Sequence, residues 1–429
     1  MRRIVITGIG CITPAGIGVD ALWEQVRSGQ ACTQTIDRFD ASRYLCQVAG
    51  QANDFKADRV LSPRFVKRTD RFTHLAVATV QQALQDAHLT IGSTSDAHSK
   101  GDKAGGVNPE RVGVTVGNIL GGWEFAEREL RELWRDGERE VSPYQATAWF
   151  PAAPQGAICI ALGIKGPART FISDRASGAY ALIHGADLIR RGQTDVVIAG
   201  GTEAPLSPYG WLCCQTSGFL TRHGNKFPIA AYRPFDRRHT GSIVGEGSAF
   251  LILEELEHAQ QRGATIYGEL QGYSLGSDGY IPYYTVEPHG YILAKTMRKC
   301  LQHASLETED INVIFAHGSG IPVEDMTEVY AIKEVFGRQG QHIPVTAPKS
   351  AIGHMLGAAA PADVAIAVRA MAQREIPPTA NLDQPAPGFD LDFVQCRSRK
   401  VEACRHSLIV SRGLGGVNAC LVVSAWKPA

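Results

Sequence analysis

Short runs of β-branched and apolar residues alternate with segments of helical periodicity along the chain, and this alternation most constrains the fold. The runs are RRIVITG, RVGVTVG, TDVVIAGG, SAFLILEEL, INVIFAHGSG, SLIVSRGLGG and ACLVVSAW. Strands interleaved with helices predict an α/β architecture with largely buried sheets. One strand ends near Glu255 and a new unit starts there, so we divide the chain into residues 1–255 and 256–429.

Composition excludes several functional classes. The 429 residues carry 43 basic and 43 acidic side chains, so no overall field attracts nucleic acid or an anionic membrane. No stretch approaches the roughly 18 apolar residues of a membrane span, and the N-terminal apolar run is interpreted as a buried strand. The ten cysteines lack metal-like spacing, which predicts reduced thiols in a cytoplasmic protein without a metal site. Residues 91–110 are polar and glycine-rich and are predicted to form a surface loop.

Residues 171–192, FISDRASGAYALIHGADLIRRG, predict the end of a strand, a sharp turn and a helix of small residues. The positions that predict a helix buried along one face are Ala179, Leu182, Ile183, Ala186 and Ile189. Gly178 would let other backbone approach this helix closely. Such an elbow suits a nucleophile, because a helix N-terminus lowers the pKa of a thiol. Here the apex is Arg175, whose guanidinium stays protonated and has no lone pair for attack.

Two later segments carry residue types suited to acid–base or oxyanion chemistry. His317 ends a β-run in FAHGSG, and Asp325 and Glu328 share one face of the following helix. Lys349 and His354 stand at the entry to a long helix of small residues. We expect Lys349 to pair with Glu328, and the two histidines to converge on a carbonyl as hydrogen-bond donors. A single histidine at a strand end is more often structural, so the interpretation depends on the whole set.

Taken together, these residues resemble the β-ketoacyl-acyl carrier protein synthase family. The resemblance extends from RRIVITGIGCITPAG through YRPFDRRHTGSIVGEGSAFLILE and PPTANLDQPAPGFDLDFV to GLGGVNACLVV. It implies the thiolase fold, which has five layers, αβαβα, and two similar halves. In the family's pattern a Thr-Ala-Cys-Ala turn supplies an acylated cysteine, and later segments supply a histidine, a lysine and a second histidine. Here Arg175 takes the cysteine's position, whereas His317, Lys349 and His354 are present.

The missing nucleophile makes the chain similar to a chain-length factor, the non-condensing partner of the ketosynthase in type II polyketide synthases. The segments GNILGGWEFAERELRELW and EAPLSPYGWLCCQTSGFLT share this resemblance. Such factors commonly have glutamine at the cysteine position, and those of aromatic systems commonly lack both histidines. The family's Gly-Phe-Gly-Gly ending is Gly413-Leu414-Gly415-Gly416 here, and Arg412 replaces the gating aromatic residue that precedes it. These departures leave the product open between an aromatic compound and a reduced polyene.

The resemblance implies that Trp123, Ala126 and Leu130 stand at the gate of a tunnel for the growing chain. Their spacing independently places them on one face of a helix. Trp123 would plug the tunnel by its bulk, and Ala126 would leave more room than a larger residue. The alternative is that the three are ordinary core or interface residues.

Arg175 requires a partner, since an isolated buried charge is unstable. Asp174 and backbone carbonyls are the candidates, and our hypothesis is that Arg175 fills the vestigial acyl pocket and braces the elbow. Two alternative functions remain. One is a decarboxylase of malonyl-carrier protein that uses His317 and His354 to stabilise an enolate. The other is a structural scaffold within a heterodimer, without a role in the tunnel.

The resemblance also implies partners. The chain would form a large apolar interface with a ketosynthase α subunit and would meet an acyl carrier protein. The segment SPRFVKRTDRF places Arg64, Lys67, Arg68 and Arg71 near a helix start, where they would face an acidic carrier protein or only solvent. No metal or organic cofactor is implied, because the phosphopantetheine arm arrives on the carrier protein.

Overall fold

The structure is a computed structural model that describes residues 2–92, 106–279 and 286–426. Residues 93–105 of the predicted loop lie outside the described residues. At the edges of that gap, Ile91 forms an isolated bridge with Val107. Within the described part of the chain, no helix combines the length and hydropathy that a membrane span requires.

The strands are numbered in chain order. They are β1 Ile4–Thr13, β2 Gly16–Ile17, β3 Gln34–Thr35, β4 Val48–Ala49, β5 Val112–Gly117, β6 Ala168–Phe171, β7 Val196–Glu203, β8 Gly247–Glu255, β9 Gly268–Ser277, β10 Val313–Phe315, β11 Val345–Thr346, β12 Glu375–Ile376, β13 Arg399–Lys400, β14 His406–Gly413 and β15 Val417–Ala425.

The α-helices are numbered in the same way. They are α1 Val19–Ser28, α2 Pro63–Arg68, α3 Arg71–Asp86, α4 Trp123–Asp136, α5 Gln145–Ala148, α6 Ala153–Leu162, α7 Ser177–Arg190, α8 Pro208–Thr216, α9 Leu256–Gln261, α10 Tyr291–Ala304, α11 Pro322–Phe336 and α12 Ala359–Gln373.

Ten strands form two halves with the same topology. The strand order is β11-β10-β14-β15-β9-β1-β8-β7-β5-β6, with a short β1–β9 pairing joining the halves. From β1 outward, β8 and β7 pair antiparallel, whereas β5 and β6 pair parallel. From β9 outward, β15, β14, β10 and β11 repeat that pattern. The two similar halves are therefore visible in the sheet, and β8 ends at Glu255, where we divide the chain.

The helices complete the five layers that the resemblance implies. α3 packs outside β1 and β8, and α10 packs outside β9 and β15 together with α11. Between the half-sheets, α7 contacts β7 and β5 on one side and β15 and β9 on the other, and α12 packs beside it. This central position explains the small residues of α7. A Cβ at Gly178 would lie 2.2 Å from the carbonyl oxygen of Gly357, so a larger residue does not fit there.

Candidate functional site

The elbow between β6 and α7 is a tight turn whose apex is buried. Asp174 adopts φ +48°, in the left-handed region that only a few non-glycine residues occupy. The Ser177 hydroxyl donates to the Asp174 carbonyl at 2.5 Å and accepts from the Ser173 N–H at 2.8 Å. These bonds close the turn and leave Arg175 only 2% exposed. The predicted strand, turn and helix are all present.

Arg175 is held by two carboxylates and an aromatic ring. Its Nη1 and Nη2 donate to the two Glu324 carboxylate oxygens at 2.8 and 2.9 Å, a bidentate ion pair. Its Nε donates to Asp174 at 3.0 Å, and the guanidinium lies 4.7 Å from the Phe219 ring centroid. Burial opposes the charge on Arg175, but Glu324 and Asp174 outweigh it and raise the pKa. The guanidinium therefore remains charged inside the protein.

Glu324 is a residue that sequence reasoning missed. It is 4% exposed in the first turn of α11, directly before Asp325, and lies 149 positions from Arg175. Burial would raise the pKa of Glu324, but Arg175 outweighs burial and lowers it. One signal was available: a buried arginine requires a carboxylate, and the Glu-Asp pair that opens this helix is a source of one.

His317 and His354 come together beside Arg175, as expected. Their ring centroids are 5.0 Å apart in an edge-to-face arrangement. His317 Nδ1 accepts from the Arg412 N–H at 3.3 Å, and His354 Nδ1 accepts from the Leu356 N–H at 3.0 Å. Burial lowers the pKa of both histidines well below the usual range. The charge of Arg175 adds to this effect at His317, and the charge of Lys349 adds to it at His354. Both rings are therefore neutral, with the proton on Nε2.

Each Nε2 atom is buried without a hydrogen-bond partner among the described residues. A neutral imidazole with a free Nε2–H can donate to a carbonyl or enolate oxygen. The nearest carboxylate oxygen to His317 Nε2 is on Glu324 at 3.8 Å, beyond hydrogen-bond distance. The two histidines are thus close together with unpaired Nε2 atoms, and their action as joint donors to a carbonyl stays a prediction.

Lys349 does not pair with Glu328, so that expectation is wrong. Its Nζ donates to the Ala316 carbonyl at 2.6 Å and pairs with Asp363 at 2.9 Å. Glu328 instead accepts from the backbone N–H groups of His317 and Gly318, at 2.7 and 2.9 Å. These two backbone donors, directly after β10, occupy the Glu328 carboxylate that we expected Lys349 to neutralise. Burial raises the pKa of Glu328 to about 7.

Asp325 performs a similar structural task on the same helix. It accepts from the N–H groups of Phe235 and Gly320 and contacts His239 Nδ1 at 2.8 Å. Burial raises the pKa of Asp325 above its ordinary value. Asp325 and Glu328 therefore orient the loops around His317 and do not reach the space beside Arg175.

The segment from Arg412 to Gly416 closes over the elbow. Arg412 lies within β14, is 1% exposed, and donates from Nε to Asn418 Oδ1 at 3.1 Å. The Leu414 N–H donates to Asp174 Oδ2 at 2.6 Å. Gly415 and Gly416 have φ +76° and +81°, which explains glycine at both positions. A buried, charged side chain therefore precedes this glycine-rich segment.

A cavity of about 110 Å³ remains at the elbow. Arg175, Asp174, Cys214, Phe219, Leu356 and Leu414 are among its lining residues, and neither His317 nor His354 is. Arg175 and Phe219, which packs on His354, therefore separate this cavity from the histidine pair. An acyl group entering the cavity would meet the guanidinium and not the imidazoles.

The three tunnel candidates lie on α4. Trp123 is half-buried, and its ring centroid is 4.4 Å from that of Tyr209 and 6.4 Å from that of Trp149. Ala126 is 2% exposed, and Leu130 is half-buried on the same face. The helix is anchored at its start, where the Phe125 N–H donates to the buried Asp70 carboxylate at 2.7 Å.

The candidate docking residues separate into two groups. Arg64 and Lys67 are exposed on α2, and the Arg68 guanidinium lies 4.8 Å from the Tyr144 ring centroid. Arg71 begins α3 instead and pairs with the buried Glu246 at 2.7 Å. The expectation that Arg71 faces a carrier protein is therefore wrong, because Glu246 already pairs with it inside the fold.

Comparison with known proteins gives concordant matches. Residues 1–259 match the model of the β-ketoacyl synthase N-terminal domain, and residues 267–383 match that of the C-terminal domain. The chain is 36% identical to the tetracenomycin polyketide synthase ketoacyl synthase beta subunit of Streptomyces glaucescens, over 98% of each chain.

Two solved structures are also similar over their full lengths. The ishigamide ketosynthase/chain length factor has a TM-score of 0.88 at 30% identity, covering 99% of this chain and 100% of that one. A type II polyketide synthase acyl-carrier protein in complex with its ketosynthase bound to the hexaketide has a TM-score of 0.87 at 26% identity, with the same coverage.

Proposed function

The chain belongs to the β-ketoacyl synthase family, and from that premise we propose that it is the chain-length factor of a type II polyketide synthase. It pairs with an active ketosynthase and shapes the tunnel that sets polyketide chain length, without itself condensing. The observation that carries this proposal is Arg175, fixed by Glu324 at the position where the family has its acylated cysteine.

The chemistry of condensation explains why this substitution is decisive. A ketosynthase forms a thioester on its cysteine, and the acyl group then transfers to a carbanion derived from the extender unit. A guanidinium has no lone pair available for that attack at any physiological pH. Because Arg175 also stays charged and bound to Glu324, the elbow offers no nucleophile for an acyl-enzyme.

The sheet edge at β6 is the surface that we assign to the ketosynthase. β6 ends the strand order, and its outer edge has no strand partner among the described residues. Large apolar side chains are exposed around it, with Phe150 at 53%, Ile160 at 86% and Ile172 at 60%. An apolar groove of about 650 Å³ lies along α6 beside them. Exposed strand edges and apolar patches of this kind mark protein interfaces.

The carrier protein is the second partner. Arg64 and Arg68 line one side of the same groove, so a positive rim borders the apolar surface. An acidic carrier protein would meet Arg64, Lys67 and Arg68 there, where exposed charges steer association more than they add affinity. The substrate would arrive on the carrier's phosphopantetheine arm, and we place the complex in the cytoplasm.

A malonyl-carrier protein decarboxylase is the second candidate, favoured by the free Nε2–H groups of His317 and His354. Incubating the isolated chain with malonyl-carrier protein and looking for acetyl-carrier protein tests it directly. Release of acetyl-carrier protein by the wild type, lost in His317→Ala, would support decarboxylation. If the wild type releases no acetyl-carrier protein, the decarboxylase candidate is excluded and the chain-length role remains.

The test of the main proposal is reconstitution with a type II ketosynthase subunit, a carrier protein and malonyl donor. We expect each subunit alone to release no polyketide and the heterodimer to release a defined chain. A purely structural scaffold would also support condensation, but the length of the chain would then not respond to substitutions on α4. An active homodimer of this chain would overturn the proposal.

A further inference from the structure

Glu127 joins the helix that carries Trp123 to a neighbouring helix. It lies one turn after Trp123 on α4, at the i, i+4 spacing that places two side chains on one face. One Glu127 carboxylate oxygen accepts from the Ser207 hydroxyl at 2.5 Å and from the Tyr209 and Gly210 N–H groups at 2.6 and 3.3 Å. These donors are at the start of α8, where backbone N–H groups have no partner within the helix.

Tyr209 provides a second connection between the same two helices. Its ring centroid is 4.4 Å from that of Trp123, at an interplanar angle of 47°, and the Trp149 centroid is 6.4 Å from the same indole. Tilted aromatic pairs at these distances attract one another beyond the area that they bury. Trp123 thus packs against two aromatic side chains, and Glu127 accepts a hydrogen bond from the backbone N–H of one of them, Tyr209.

These contacts form a closed circuit. It runs from Trp123 to Tyr209 through ring packing, from Tyr209 to Glu127 through a hydrogen bond, and back along one turn of α4 to Trp123. The indole therefore keeps one orientation only while α8 stays against α4. Tyr209 itself is 47% exposed, so its ring depends on contacts such as that with Trp123 more than on burial in the core.

We propose that Glu127 is a positioning residue for chain length, acting through Tyr209 on the Trp123 plug. This inference rests on the proposed function, because it assigns the control of a tunnel that Trp123 closes. Removal of the Glu127 carboxylate releases the start of α8, Tyr209 moves away from the indole, and Trp123 can turn aside. A longer chain then fits before the plug stops it.

The experiment measures released chain length from the reconstituted heterodimer for six variants, of which Trp123→Ala is the reference for loss of the plug. Glu127→Ala and Tyr209→Ala are expected to shift the products toward longer chains by one or more extension cycles. Glu127→Gln keeps an acceptor oxygen, and Tyr209→Phe keeps the ring, so both should retain the wild-type length. Glu132→Ala is the matched control, since Glu132 lies on the same helix and pairs with the exposed Arg135 on that helix. It should leave length unchanged.

The pattern distinguishes positioning from general destabilisation. Loss of stability would lower the yield of every product equally and would not be rescued by Phe at position 209. If Glu127→Ala does not assemble with the ketosynthase, Tyr209→Ala still tests the circuit, because its ring is partly exposed. Unchanged length in Tyr209→Ala, with Trp123→Ala giving longer products, would overturn this inference alone. Unchanged length in Trp123→Ala would instead overturn the tunnel role on which it rests.

Discussion

At the scale of single residues, the Arg175–Glu324 pair explains what arginine contributes that a neutral residue would not. Both side chains are almost fully buried, and the bidentate geometry satisfies both carboxylate oxygens. Breaking a buried pair leaves an uncompensated charge, whereas replacing both members by apolar residues is often neutral or stabilising. Arginine at this position therefore supplies no nucleophile and also fixes α11 to the elbow through Glu324.

A double-mutant cycle tests this account of the pair. Arg175→Met should lower the free energy of unfolding by about 3 to 5 kcal/mol, because Glu324 remains buried without its partner. Glu324→Met should be near the lower end of that range, since Asp174 still contacts Arg175 at 3.0 Å. The double variant should unfold close to the wild type in urea titrations. Additive losses in the double variant would show that the pair is not coupled.

Restoring the nucleophile alone should not restore condensation. Arg175→Cys leaves Glu324 without its partner, 3.8 Å from His317 Nε2, and the buried Arg412 remains beside His317. We expect intact-mass measurements to show little acylation of this variant by an acyl-carrier protein. Adding Glu324→Gln removes the stray carboxylate and shows whether it is the obstacle. Rapid acylation followed by chain extension in the single variant would contradict this expectation.

Residue-level prediction from the sequence succeeded where a motif defined a position and failed where a long-range partner was needed. The convergence of His317 and His354 followed from their motifs. The Arg175–Glu324 pair and the Lys349–Asp363 pair did not, because each joins segments whose approach depends on the assembled layers. Glu328 was the carboxylate that the sequence suggested for Lys349, but the backbone N–H groups of His317 and Gly318 occupy it.

At the scale of elements, β7 is tied to two loops by one buried carboxyl group. Glu203 ends β7 and accepts from the Ile119 and Gly357 N–H groups, at 2.5 and 3.3 Å. Burial raises the pKa of Glu203 to about 8, despite the opposing effect of these backbone donors. The loop that leads into α4 and the segment that precedes α12 therefore meet at a group that titrates near neutrality.

This raised pKa predicts a pH-dependent stability. The folded protein retains the Glu203 proton up to about pH 8, whereas the unfolded chain loses it near its ordinary pKa. The folded state binds more protons across that window, so the stability that Glu203 provides falls as pH rises toward 8. Glu203→Gln removes the titration while keeping an acceptor oxygen.

The measurement is the difference in melting temperature between wild type and Glu203→Gln, taken at pH 6 and at pH 8.5. We expect the variant to gain stability relative to wild type as the pH increases. The slope is at most about 1.4 kcal/mol per pH unit within the window. A difference that does not change with pH would mean that Glu203 has an ordinary pKa.

The sequence predicted helices and strands better than it predicted which side chains pair with one another. Alternating strand and helix patterns gave the α/β class, and the spacing of small residues gave the buried face of α7. The five-layer arrangement came from the family resemblance, because periodicity alone does not say which helix lies between two sheets. Arg71 shows the limit at element boundaries: α2 ends at Arg68, and the start of α3 turns Arg71 inward to Glu246.

At the scale of the whole molecule, the exposed apolar surface at the β6 edge predicts the assembly. Ile160→Glu would place a carboxylate in the interface with the ketosynthase, where desolvation is unfavourable without a partner. Because Ile160 is 86% exposed, the substitution should leave the melting temperature of the isolated chain unchanged. We expect light scattering after coexpression to show loss of the heterodimer.

Tyr291→Glu is the control for this prediction. Tyr291 is 63% exposed at the start of α10, in the other half of the molecule. It should not affect assembly. If Ile160→Glu still copurifies with the ketosynthase, or if Tyr291→Glu also prevents assembly, the β6 edge is not the interface that we assign.

The central claim is that this subunit sets product length while its partner performs the condensation. The most direct test is the length of the chain released by the heterodimer with wild-type or Trp123→Ala protein. In the proposed function Trp123 plugs the tunnel, so loss of the indole should give longer products at an undiminished rate of malonyl consumption. Products of wild-type length from an intact Trp123→Ala heterodimer would contradict it.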